Sequence, residues 1–215
     1  MMFGAFRAIR KLPRFRGQAA VLLILPFLSL ASTSAARPIC VTDDTGRELC
    51  LDQPAQRIVS LSPGATELLF AAGAGDRIVA TVSHSDYPEA AQALPRIGKY
   101  DRIDLEALVA QEPDLVVGWN SGNPGEQLRR IETLDLALYR SEPRRFTDVA
   151  STLIRFGQLA GTQTRARKAA NTFREQIAQL RDRYANADPV RVFYQVWPDP
   201  LMTVNNDHLI GRTIR

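Results

Sequence analysis

Ring-bearing side chains follow several predicted strands of this sequence, and they are the residue types best suited to recognise a ligand. They are Pro63, His84, Tyr100, Trp119 and Trp197. Carboxyl ends of parallel strands meet at one edge of an open α/β sheet, so we expect these residues to line a crevice. Flat rings offer a large contact area, which suits a bulky, partly apolar ligand. For any single ring, packing in the core is an equal alternative, so the prediction rests on the set.

Patterns typical of catalysis are few. Gly73-Ala74-Gly75 follows a predicted helix rather than a strand and lacks the third glycine of a dinucleotide-binding loop. His84 and His208 lie 124 residues apart, and neither has the spacing of zinc ligands. We therefore expect a protein that is not an enzyme and has no metal or cofactor. An exported hydrolase remains an alternative, because a Ser-His-Asp triad is assembled in space.

The positive charge of the chain is concentrated at its N-terminus. The 215 residues contain 27 basic and 23 acidic side chains, a formal charge of +4. Residues 1–36 hold no acid and five of the bases, namely Arg7, Arg10, Lys11, Arg14 and Arg16. The remaining chain has 22 bases and 23 acids, a charge of −1. A nearly neutral chain lacks the excess of basic residues that nucleic-acid binding requires, so we expect no nucleic-acid partner.

The same 36 residues have the layout of a secretory signal peptide. A basic stretch precedes an apolar run over 19–31, which is shorter than the roughly 20 residues of a membrane-spanning helix. Small residues follow, and Ser34 and Ala36 fit the −3 and −1 positions of a cleavage site before Arg37. We predict removal of residues 1–36 and a periplasmic location. An uncleaved N-terminal anchor is the alternative.

The only two cysteines flank a predicted β-hairpin within residues 37–56. A turn at Asp44-Thr45-Gly46 would use the positive φ that glycine accepts. Counting outward from this turn, Cys40 comes to lie opposite Cys50, where a disulfide is possible in an oxidising compartment. Two free thiols or a metal site are the alternatives, and no histidine lies nearby to complete a metal site.

The elements that position the rings alternate between strand and helix. Short apolar strands are predicted at 57–61, 77–82, 114–119 and 136–139, with helices at 62–72, 87–91, 104–110 and 124–134. This alternation predicts a Rossmann-like α/β lobe with a parallel sheet over 57–145.

A long helical region follows the predicted lobe. Residues 146–187 are predicted as connecting helices with a break at Gly161-Thr162. The second helix has an apolar stripe of Ala169, Phe173, Ile177, Leu180 and Tyr184. A strand at 190–196 is predicted to begin a second α/β lobe within 188–215.

Several segments together carry a family resemblance over 57–205. They are Arg57–Pro63 with Thr66-Glu67-Leu68, Ser85-Asp86-Tyr87-Pro88, Asp104-Leu105-Glu106 with Pro113–Val116, Trp119 with Gly122-Asn123, Ser141–Arg145, and Phe193-Tyr194-Gln195 with Pro200-Leu201. In these segments the chain resembles cobalamin-binding members of the helical-backbone family of ABC-importer substrate-binding proteins.

The resemblance implies two α/β lobes, one long connecting helix, and a cobalamin-like ligand held between the lobes. Pro63, His84, Tyr100 and Trp119 would line the first-lobe face, and Trp197 would begin the second. His84 stands where a relative has tyrosine, and Tyr100 stands where it has tryptophan, which leaves the choice of corrinoid open. His84 would contact the cobalt or would be a solvated loop residue.

The resemblance also implies a monomer that docks on an ABC transporter permease through Glu106. The alternative role of Glu106 is a favourable interaction with the dipole of its helix. A ferric siderophore or haem protein of the same fold is an alternative function, and so is a non-functional truncated fragment. With only the start of a second lobe, we expect the 215-residue chain to bind cobalamin weakly or not at all. We also expect the exposed edge at 190–215 to promote aggregation.

Overall fold

The structure, a computed structural model, describes residues 37–214; the predicted signal peptide and Arg215 lie outside the described residues. The described chain begins with an antiparallel hairpin of β1 (Ile39–Thr42) and β2 (Glu48–Leu51). Cys40 pairs with Cys50 in its register, and a disulfide joins them. Gly46 has a φ of 86°, as the turn requires.

Six further strands follow along the chain. They are β3 (Ile58–Ser60), β4 (Ile78–Thr81), β5 (Gly98–Lys99), β6 (Arg102–Ile103), β7 (Leu115–Trp119) and β8 (Leu138–Ser141). Four of them form a parallel sheet in the order β4-β3-β7-β8. The predicted parallel α/β lobe is confirmed. The short antiparallel pair of β5 and β6 was not predicted, because two-residue strands have no detectable period.

In the part of the chain that the structure describes, six α-helices connect or follow these strands. They are α1 (Pro63–Ala71), α2 (Leu105–Val109), α3 (Gly125–Thr133), α4 (Phe146–Leu159), α5 (Gln163–Tyr184) and α6 (Leu209–Thr213). The helix predicted at 87–91 is a 3₁₀ helix over Glu89–Ala93. In α1, the Ser62 hydroxyl accepts a hydrogen bond from the Ala65 N–H, and Pro63 occupies the first turn.

The parallel sheet separates two hydrophobic clusters. Successive strand residues point to opposite faces. Ile58 therefore packs with the cluster that contains Phe156 of α4, whereas Val59 packs with the cluster that contains Leu108 of α2 and Leu128 of α3. The sheet is covered on both faces, which explains why the two central strands, β3 and β7, are buried along almost their whole length.

The long predicted helical region is two helices that pack closely. α4 and α5 meet at Gly161, whose φ of 65° ends the first helix, so the predicted break is confirmed. Gly157 of α4 lies against Ala166 of α5, and a Cβ at position 157 would overlap the Ala166 methyl group. The predicted apolar stripe is covered only in part. Phe173 packs against the core, but Leu180 and Tyr184 are exposed.

The prediction of a strand over 190–196 is wrong. Within the part of the chain that the structure describes, these residues form no strand, and the only pairing nearby is an isolated bridge between Trp197 and Met202. Val190 and Phe193 are exposed. A β-branched and aromatic segment forms a strand only where another strand accepts its hydrogen bonds.

No helix within residues 37–214 has the length and apolar character needed to cross a membrane.

Candidate functional site

A largely apolar cavity of about 540 Å³ opens at the carboxyl ends of β3, β7 and β8. This is the edge at which ligands bind in open α/β sheets. Its lining comprises Ser62, Pro63, Gly64, Ala65, Glu67, Leu68, Trp119, Ser141, Glu142, Pro143, Arg144, Phe146, Val149, Phe173, His208 and Leu209. We call this cavity the crevice. It contains two of the predicted ligand-binding residues, Pro63 and Trp119.

Most of the apolar wall of the crevice comes from three helices. Leu68 lies on α1, Phe146 on α4 and Phe173 on α5, and the two phenylalanine rings are 6.0 Å apart at 57°. His208 and Leu209 of the C-terminal segment also line the cavity. The His208 Nδ1 accepts a hydrogen bond from the Ile210 N–H at 3.2 Å, which orients the imidazole at the start of α6. Such a wall suits the apolar face of a bulky ligand.

Tyr100 extends the aromatic edge of the crevice beside Trp119. The two ring centroids are 5.8 Å apart at 46°, and Tyr100 is 41% exposed. Trp119 ends β7, and Tyr100 lies in the turn between β5 and β6. The structure therefore brings together Pro63, Tyr100 and Trp119 from three separate segments. Tyr100 is exposed, and Pro63 and Trp119 are half-buried, so part of each ring is open to stack on a flat ligand.

The loop after β8 forms a polar wall that sequence analysis left without a role. The Glu142 carboxylate accepts hydrogen bonds from the Ser121 N–H (2.9 Å) and hydroxyl (3.0 Å). The Glu142 N–H donates to Asp44 in the hairpin turn at 2.7 Å. The hairpin thus holds one side of the crevice. The position of Ser141–Arg145 directly after a parallel strand was the signal that could have identified it.

The charges at the start of α4 are paired. Arg145 donates to Asp148 at 2.8 Å, and this hydrogen bond raises the pKa of the Arg145 guanidinium. Burial alone would raise the pKa of Asp148, but the hydrogen bonds from Arg145 and Arg144 outweigh it and leave that pKa below its usual value. Arg144 also lines the crevice, where its guanidinium lies 3.8 Å from the Glu142 carboxylate, so the site has an ion pair beside its apolar wall.

Three other predicted residues lie away from the crevice lining. His84 is exposed in the loop after β4, with a φ of 67°. Trp197 is 59% exposed in the segment after α5. Glu106 is exposed in the first turn of α2, which Asp104 caps through a 2.9 Å hydrogen bond from the Ala107 N–H.

One group of potential metal ligands exists within residues 37–214. Cys40, Glu48 and Cys50 lie close together in the hairpin. Both sulfurs are held in the disulfide, so neither is a thiolate that could bind a metal ion.

Comparison with known proteins gives concordant results. A model of the periplasmic binding protein family matches residues 58–214. The Vitamin B12-binding protein of Yersinia pestis (strain Pestoides F) is 40% identical over 162 residues, which are 75% of this chain and 58% of that protein. The chain therefore spans little more than half the length of this curated relative.

Two solved structures are also similar. The periplasmic Vitamin B12 binding protein BtuF of Vibrio cholerae has a TM-score of 0.68 and 34% identity, covering 74% of this chain and 65% of that one. The periplasmic heme-binding protein RhuT from Roseiflexus sp. RS-1 has a TM-score of 0.57 and 30% identity, and the match covers 63% of this chain and 52% of that one.

The fold and the crevice define this protein as an α/β protein with an apolar pocket at the carboxyl edge of its parallel sheet. The match over residues 58–214 extends this to a family: the chain belongs to the periplasmic binding protein family. The resemblance noted in its sequence is thereby confirmed.

Proposed function

We propose that this protein is the substrate-binding component of an ABC importer and that its crevice binds cobalamin or a related corrinoid. The observation that carries the proposal is the apolar crevice, with Trp119 at its edge, in a chain 40% identical to a Vitamin B12-binding protein. Its volume of about 540 Å³ lies within the usual range of small-molecule sites.

The mixed apolar and polar lining of the crevice suits the surface of a corrinoid. A corrin ring is broad and flat, and its amide side chains need hydrogen-bonding partners at the rim. Trp119, Tyr100 and Pro63 supply flat surfaces, while Glu142 and Arg144 supply polar groups in the crevice lining. We propose that His84 and Trp197 make outer contacts with the same ligand.

Haem is the second candidate ligand. The similarity to a heme-binding protein supports it, and so do two exposed residues in the loops of the lobe. His84 and Tyr100 are exposed, and histidine and tyrosine are both axial ligands of haem iron in proteins. The lower identity and coverage of that neighbour favour the corrinoid.

Delivery to a permease requires an exposed surface outside the crevice. Glu106 meets this requirement, because it is exposed on α2 and does not line the cavity. We propose that it pairs with a basic group of the permease in the periplasm and that the protein acts there as a monomer.

Equilibrium dialysis of the chain without residues 1–36 against cyanocobalamin, haemin and a ferric siderophore tests the ligand. We expect weak but saturable binding of cyanocobalamin, with the other two at least about tenfold weaker, a difference of roughly 1.4 kcal/mol. Trp119→Ala should weaken binding. Tyr184→Ala, which removes an exposed aromatic ring at the end of α5, should leave it unchanged. Preference for haemin, or no saturable binding of cyanocobalamin, would overturn the proposal.

A further inference from the structure

The turn after β7 contains a buried amide that contacts both aromatic segments of the crevice edge. Asn123 is only 5% exposed. Its side-chain oxygen accepts a hydrogen bond from the Trp119 N–H at 2.6 Å. Its side-chain nitrogen donates to the carbonyl of Tyr100 at 2.7 Å and to that of Leu61 at 2.9 Å. One side chain therefore joins three segments that are far apart in the sequence.

These contacts bear directly on the geometry of the rings. Leu61 follows β3, Tyr100 lies between β5 and β6, and Trp119 ends β7. The β5–β6 pair is not part of the parallel sheet, and on the β4 side it is held by backbone hydrogen bonds such as that from the Ser83 N–H to the Gly98 carbonyl at 2.9 Å. The Asn123 amide is a direct link between the backbone of Tyr100 and the sheet.

The neighbouring Gly122 acts on the ring of Trp119 itself. The indole lies against the Gly122 backbone so closely that a Cβ at this position would overlap its six-membered ring. Glycine is needed here for space, because its φ is not in the left-handed region. The Trp119 ring thus packs on Gly122, while the side chain of Asn123 holds the Trp119 backbone.

We propose that Gly122 and Asn123 are positioning residues that hold Trp119 and Tyr100 in their ligand-binding arrangement before the ligand arrives. A preorganised site avoids the entropy cost of ordering its side chains on binding. The link to ligand affinity rests on the proposed function, whereas the positioning of the rings does not.

Tryptophan fluorescence tests the positioning without any ligand. The chain has two tryptophans, so Trp197→Phe leaves Trp119 as the single emitter. In that background, Asn123→Ala should shift the emission of Trp119 to the red and increase its quenching by acrylamide. Gly122→Ala should do the same while leaving the amide contacts in place, so it tests the ring position even if Asn123→Ala folds poorly.

Gln127→Ala is the matched control. The Gln127 amide also bridges backbone groups, donating to the Ile103 carbonyl at 2.8 Å and accepting from the Ile103 N–H at 3.0 Å. Its removal should lower stability without changing the emission of Trp119. Equal emission changes in the Gln127 and Asn123 variants would overturn the positioning role, and so would unchanged emission in both Gly122→Ala and Asn123→Ala.

Cyanocobalamin titration of the same variants measures the consequence for binding. We expect about a tenfold loss of affinity in Asn123→Ala relative to its Trp197→Phe parent, of the order expected for losing buried hydrogen bonds. Unchanged affinity despite a displaced Trp119 would overturn the preorganisation. If the chain with both tryptophans intact does not bind cyanocobalamin, the proposed function fails while the fluorescence result still decides the positioning.

Discussion

Asp44 at the tip of the hairpin connects the N-terminal hairpin to the wall of the crevice. Its side chain is 7% exposed, accepts a hydrogen bond from the Glu142 N–H at 2.7 Å and pairs with Arg155 on α4. We predict that Asp44→Ala destabilises the protein and also weakens ligand binding, because Glu142 lies in the crevice lining.

The size of the effect follows from the contacts that are lost. Two hydrogen bonds to a charged group contribute about 1.5–3 kcal/mol each at most. Arg155 is 21% exposed and keeps contacts to the Thr42 carbonyl (3.2 Å) and the Thr152 hydroxyl (3.0 Å). The loss should therefore fall below the roughly 3–5 kcal/mol of a fully buried broken ion pair. We expect about 2–3 kcal/mol, and about 1 kcal/mol for Asp44→Asn, which keeps an acceptor for Glu142.

Urea unfolding at pH 7 measures this loss as a change in the free energy of unfolding. Asp52→Ala serves as the control, because Asp52 is an exposed acid that follows the second strand of the same hairpin. A double-mutant cycle with Arg155→Met isolates the ion pair from the hydrogen bond to Glu142. A loss below about 0.5 kcal/mol in Asp44→Ala, the size of an ordinary surface change, would refute the assigned role of the hairpin tip.

Two further predictions concern other charged residues. Burial alone would raise the pKa of Glu132, but hydrogen bonds from Arg140 and Arg47 hold it below the usual value of 4.5. Its contribution to stability is therefore present above about pH 4.5 and is lost as the pH falls through the lower folded pKa. Urea unfolding at pH 7 and pH 3.5 should show a smaller acid-induced loss in Glu132→Gln than in the parent, and equal losses would contradict this. Glu106→Lys should abolish the stimulation of transporter ATPase activity in vesicles without changing the affinity for cyanocobalamin. The control Glu126→Lys, on α3, should change neither the stimulation nor the affinity. Full stimulation by Glu106→Lys would exclude Glu106 from docking.

The amino-acid sequence determined the architecture of the lobe because its signals are local. Apolar runs such as Leu115–Val117, the Ser62-Pro63 helix start and the glycine at 161 each act within a few residues. The alternation of strands with helices then leaves a parallel sheet as the only arrangement that buries both faces. The edge of the sheet that carries the crevice follows from the same pattern.

Tertiary structure alone decided which of the predicted residues meet. Pro63 and Trp119 line one cavity with Tyr100 beside Trp119, whereas His84 at the sheet edge and Trp197 do not line it. These outcomes depend on loop paths, which side-chain type does not specify.

The residues that sequence analysis left without a role act through contacts between distant segments. Asn123 hydrogen-bonds to Leu61, 62 positions away, and Glu142 hydrogen-bonds to Asp44, 98 positions away. The segment at 190–196 shows the converse, since its composition favours a strand but none of the strands within residues 37–214 pairs with it. Local propensity determines which strands and helices can form. Which of them do form depends on the segments that the fold brings beside them.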